Sequence, residues 1–116
     1  MYSAQLLDHF QNPRNAGELA HATSMAEVQN PACGDVLQLW LRVDEGFIAA
    51  ASFRARGCVS AMACASALTE LLSGMPVMEA RRLGKEQLLQ AVGGVPEAST
   101  HAIQLALDAI GAALSN

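Results

Sequence analysis

The apolar residues change their period once, at Gly57, and that change limits the fold more than any other feature of the chain. Before it, Leu37, Leu39, Leu41 and Val43 alternate with polar Gln38 and Arg42, so Val36–Val43 reads as a strand with one buried face. Asp44-Glu45-Gly46 supplies a hairpin connection, and Phe47, Ala49, Ala51 and Phe53 alternate along the return strand. After it, Ala61, Cys64, Ala65, Leu68, Leu71, Leu72 and Met75 fall at helical spacing, and Gly74 and Pro76 punctuate the end. A hairpin followed by an apolar helical stripe must bury the two against each other.

The flanks complete the pattern. Tyr2, Leu6, Leu7 and Phe10 predict a first helix. It stops at Asn12-Pro13, because the residue before a proline avoids helical dihedrals. Residues 13–22 read as loop, and a third strand is weakly signalled near Ala26–Asn30. Short helices are expected over Val77–Leu83 and over Lys85–Val92, the latter ended by Gly93-Gly94. A last helix begins at Ser99 or Thr100, both suited to an N-cap, with Ile103, Ala106, Leu107, Ile110 and Leu114 on one face. The expected fold is α+β: a small antiparallel three-stranded sheet covered by helices on one face, with a helix at each end. At 116 residues it suits a single domain, 1–116.

Composition narrows the function classes. With 52% hydrophobic and 16% charged residues the chain is globular rather than disordered. A net charge of −4, with Arg54, Arg56, Arg81 and Arg82 scattered, argues against nucleic-acid binding. No apolar run approaches the ~20 residues of a membrane span. Met1-Tyr2-Ser3-Ala4 has neither a basic start nor an apolar run, so no signal peptide is expected and the protein reads as cytoplasmic.

Three cysteines, at 33, 58 and 64, argue against a disulfide framework and leave metal binding, catalysis or burial. In Pro31-Ala32-Cys33-Gly34-Asp35 a thiol and a carboxylate two residues apart can point at one ion. Gly57-Cys58 stands where strand gives way to helix, and there the helix dipole is expected to lower the thiol pKa. Thr100-His101 falls in the first turn of the last helix. Together these residues supply a ligand set for zinc or an iron–sulfur centre. Each also has a plainer role: Cys33 and Cys58 as small buried hydrophobes, Asp35 as a turn residue, His101 as a capping or surface histidine. Cys64 lies within the apolar stripe and reads as buried. Six residues beyond Cys58, it would point about 120° away from it on a helix.

Several motifs resemble one family. Asn30-Pro31-Ala32-Cys33-Gly34-Asp35-Val36 is similar to the first ligand loop of the IscU/NifU N-terminal iron–sulfur scaffolds. Arg56-Gly57-Cys58-Val59-Ser60-Ala61 resembles their second cysteine loop. Tyr2-Ser3, Asp8-His9-Phe10 and Asn12-Pro13-Arg14-Asn15-Ala16-Gly17 look like their N-terminal signature, and His101 to Ile110 like their closing helix. The resemblance implies a non-enzymatic platform for a labile [2Fe–2S] cluster, iron or zinc, held by Cys33, Asp35, Cys58 and His101. It implies sulfur delivery by a cysteine desulfurase, iron and electron donors, and acceptor apo-proteins. Two departures stand out. The family places a cysteine directly after the histidine, and here that residue is Ala102. The Leu-Pro-Pro-Val-Lys stretch that recruits an Hsp70-type chaperone in some members reads Val-Pro-Glu-Ala-Ser at Val95–Ser99, so no chaperone binding is expected.

Ala102 motivates a second reading, a degenerate homologue that binds a desulfurase without holding a cluster. A third reading, with Cys58 as nucleophile and His101 as base, lacks any oxyanion-type motif.

Overall fold

Three strands, β1 (Ser24–Gln29), β2 (Val36–Asp44) and β3 (Phe47–Arg56), form one antiparallel sheet in the order β1-β2-β3. The structure, a computed structural model, describes residues 1–32 and 34–115. Glu45 and Gly46 turn the β2–β3 hairpin with φ of 50° and 82°, the two positive values a tight hairpin needs. Ala26, Leu39 and Phe53 lie opposite one another across the three strands, with Leu37 and Leu41 on the same buried face. The weak signal for β1 has a cause: it is an edge strand in which Ala26 is buried and Met25 and Glu27 are exposed.

The return strand departs from simple alternation. Arg42 pairs with Ala50 while Val43 pairs with Ile48, so Ala49 is an extra residue at a β-bulge. The bulge inverts the facing of everything before it. Ile48 is fully buried, whereas Phe47 is 51% exposed and Ala49 is also exposed. The expected inward set of Phe47 and Ala49 is thereby corrected to Ile48.

Five α-helices and a 3-10 turn complete the chain: α1 (Ala4–Gln11), α2 (Val59–Leu72), α3 (Val77–Ala80), α4 (Lys85–Ala91), the turn Glu97–Ser99, and α5 (His101–Ala113). α2 packs against β3, and α5 against β1 and β2, so both cover the leucine face. α2 is buried nearly all round, because Ala61, Ala63, Ala65 and Ala67 let its neighbours approach while Leu68 and Leu72 fill the core. The N-cap expected before α5 is not used. Thr100 has helical dihedrals and no side-chain cap bond, because the 3-10 turn runs straight into the helix. No helix among the described residues is long and apolar enough to cross a membrane.

A polar latch fastens α1 to α2. Ser66 Oγ lies 2.8 Å from His9 Nδ1 and accepts the Arg14 N–H at 2.9 Å. His9 Nε2 is 3.6 Å from Glu70 Oε1, and Arg14 also reaches Glu70 and Asp8. Burial pushes the His9 pKa below its ordinary 6.5 and Arg14 adds to that, against the opposing pull of Glu70 and Asp8. The neutral ring is therefore the folded form. Its stabilisation is complete above pH 6.5 and is lost as pH falls through the lower folded value. Urea unfolding from about pH 8 to pH 5 is expected to show this loss, and His9→Gln to flatten the slope. An identical slope in the variant would acquit His9.

Candidate metal centre

Three junctions of the fold meet at one end of the sheet. Asp35 closes the loop after β1 and leads into β2. Asn30 holds that loop: its N–H donates to Asp35 O at 2.9 Å, its O accepts from Gly34 N–H at 2.7 Å, and its Oδ1 accepts from Ala32 N–H at 2.9 Å. Cys58 is the N-cap of α2, with extended dihedrals and its Sγ accepting the Ala61 N–H at 3.3 Å. A thiol here fills a place usually given to serine or aspartate. His101 opens α5.

The side chains converge on Asp35, which is 4% exposed. Its Oδ2 lies 3.1 Å from His101 Nε2 and 3.4 Å from Cys58 Sγ, while Sγ and Nε2 are 3.7 Å apart. Its Oδ1 accepts the Cys58 N–H at 3.3 Å. One donor atom from each of Asp35, Cys58 and His101 thus lies within 4.8 Å of the others. Thiolate, imidazole and carboxylate at such separations fit zinc or iron. Three of the four expected ligands come together; Cys33 lies outside the described residues.

Gly57 makes the convergence possible, a role its sequence position did not disclose. Its φ is +148°, and a Cβ there would sit 2.2 Å from Asp35 Oδ1. The signal was a glycine directly before a candidate ligand, and its meaning needed the carboxylate's position.

The thiol itself departs from expectation. Burial raises the Cys58 pKa, the Ala61 N–H pulls it down, and the Asp35 carboxylate raises it again by accepting the S–H and repelling a thiolate. The net direction is upward. The helix terminus contributes as anticipated, but burial beside a carboxylate outweighs it.

The sequence profile of the NifU-like N-terminal domain matches residues 1–116. The chain belongs to this family. It is 40% identical over 119 residues to an iron–sulfur cluster assembly scaffold protein IscU of Haemophilus influenzae, covering 99% of this chain and 94% of that protein. It is 37% identical over 110 residues to the scaffold protein IscU 1 of Archaeoglobus fulgidus, covering 95% and 72%. A crystal structure of a protein from the SUF system of Fervidobacterium islandicum AW-1 superposes with a TM-score of 0.74 at 19% identity, covering 98% and 96%, which speaks for the shared fold.

Within that family fold, two residues near the centre differ in fate from the three that converge there. Cys64 is fully buried in the core, and burial, with Cys58 nearby, pushes its thiol up to about 12. Such a thiol is inert packing. Ala102, beside His101, is 1% exposed and belongs to the core as well.

Proposed function

We propose that the chain, as a single domain, is an iron–sulfur cluster assembly scaffold or carrier. Its cargo is a labile [2Fe–2S] cluster, with iron or zinc as the simpler occupant. Cys33, Asp35, Cys58 and His101 are its holding residues. The observation that carries this reading is the meeting of Asp35, Cys58 and His101 donor atoms within 4.8 Å in a chain of this family. Mixed carboxylate, imidazole and thiolate ligands favour a centre that can be given up. The raised Cys58 thiol works in the same direction, because a proton competes with the metal for the sulfur. Sulfur would come from a cysteine desulfurase, iron and electrons from separate donors, and acceptor apo-proteins would take the product.

Metal and sulfide analysis of anaerobically purified protein tests this. Iron and sulfide in equal amounts support a cluster. Protein that carries neither zinc nor iron, and shows no charge-transfer absorbance after reconstitution, rules the reading out.

Ala102 favours a second reading, a desulfurase-binding module that holds no cargo. Full capture of a desulfurase by the Cys33→Ala/Cys58→Ala protein, with cellular function intact, would select it. On the scaffold reading, Ala102→Cys is expected to raise the cluster yield on reconstitution, measured as absorbance per protein, because it adds a soft ligand beside His101. No gain would mean that this buried position is packed away from the centre.

A further inference from the structure

The sheet face turned away from the helices carries three of the chain's seven basic residues. Arg42, Arg54 and Arg56 stand on β2 and β3, opposite Ala50, Gln38 and Val36. Among the described residues none of the three has a carboxylate within 4.0 Å, whereas Arg14 has two. In a chain of net charge −4 this is a local inversion of sign. Glu27 shares the face, where the three arginines outnumber it, and its Oε1 accepts from Gln38 Nε2 at 2.9 Å. Arg54 also lies over Trp40, 6.0 Å from the ring centroid, so its guanidinium is held in place.

Arg54 and Arg56 line a groove of about 290 Å³ with Glu27, Val36, Gln38 and Ala55. The groove opens beside the metal centre, since Val36 follows Asp35 and Arg56 precedes Gly57-Cys58. We propose that this groove docks an acidic segment of a partner protein, with carboxylates on Arg54 and Arg56 and an apolar side chain against Val36. Paired guanidinium forks suit carboxylates. A nucleic acid fits less well: three arginines face a repelling net charge, and Trp40, 7% exposed, offers no stacking surface. A partner seated here would lie at the edge of the cargo site. The groove and the metal ligands share no residue, so either assignment can fail alone.

Trp40 is the single tryptophan and reports from this face. The probe is a blocked Asp-Glu-Val-Glu-Asp peptide titrated into the full metal-free chain, followed by Trp40 emission and by calorimetry. Saturable binding is expected, weakening roughly threefold or more as ionic strength rises from about 0.05 to 0.3 M. Arg54→Glu/Arg56→Glu should lose roughly tenfold or more, and Arg82→Glu should bind as the parent does. If charge reversal unfolds the chain, as judged by circular dichroism, Arg54→Gln/Arg56→Gln should still weaken binding. Unchanged affinity in a folded variant, equal binding of Asn-Gln-Val-Gln-Asn, or tighter binding of a single-stranded oligonucleotide would overturn the proposal.

Discussion

Replacing Cys58 with serine is expected to cut affinity for zinc at least about tenfold, because a hard hydroxyl replaces the soft sulfur. The loss should exceed that of a surface change, since Cys58 Sγ lies within 4 Å of both Asp35 and His101 and cannot be replaced by a neighbour. Cys64→Ser provides the contrast. Its side chain is buried in the core, so that change should lower stability and leave zinc affinity alone. Competition with a chromophoric chelator reads affinity, and urea unfolding reads stability. Cys33→Ser is expected to behave as Cys58→Ser does. Full zinc affinity in Cys58→Ser would remove this residue from the centre.

Gly57→Ala is expected to damage fold and site together. A φ of +148° is nearly closed to residues with a Cβ, and this Cβ would drive into Asp35 Oδ1. The strain alone should cost about 1–3 kcal/mol, with more for displacing a buried carboxylate. Gly46→Ala separates the two contributions. Its φ is +82° with nothing within 4 Å of the added methyl, so it carries strain without collision. Gly46→Ala should therefore lose about 1–2 kcal/mol and keep its metal affinity, whereas Gly57→Ala should lose both. Equal metal affinity in the two variants would show that the added methyl does not displace Asp35 from the centre.

Much of the fold was legible because period reports burial. β2 and α5 each bury one repeating set, and the apolar stripe of α2 marked a helix that is in fact buried nearly all round, so their residues announced them. β1 was faint because a half-exposed edge strand has little to bury. The bulge was illegible because Phe47, Ala49, Ala51 and Phe53 alternate in sequence whether or not Ala49 is paired, and hydrogen bonds alone set the register. The site divides in the same way. Cys58 and His101 stood out at helix starts, and Asp35 stood out as a carboxylate two residues after Cys33. Their convergence across 23 and 66 residues of chain is a property of the fold. The direction of the Cys58 shift depended on burial and on a carboxylate 3.4 Å away, neither of which a dipole argument sees.

The three described donors sit at the head of β2, the cap of α2 and the first turn of α5. A disordered chain has no such site, so on the proposed function occupancy and folding would be thermodynamically linked. A free ion at about 100 times its dissociation constant would stabilise the native state by about 2.7 kcal/mol through mass action alone. Handing over the cargo would then also withdraw a clasp between the sheet and its two covering helices. The apparent melting temperature would then gauge occupancy, rising as the ion is added and falling when a chelator takes it away.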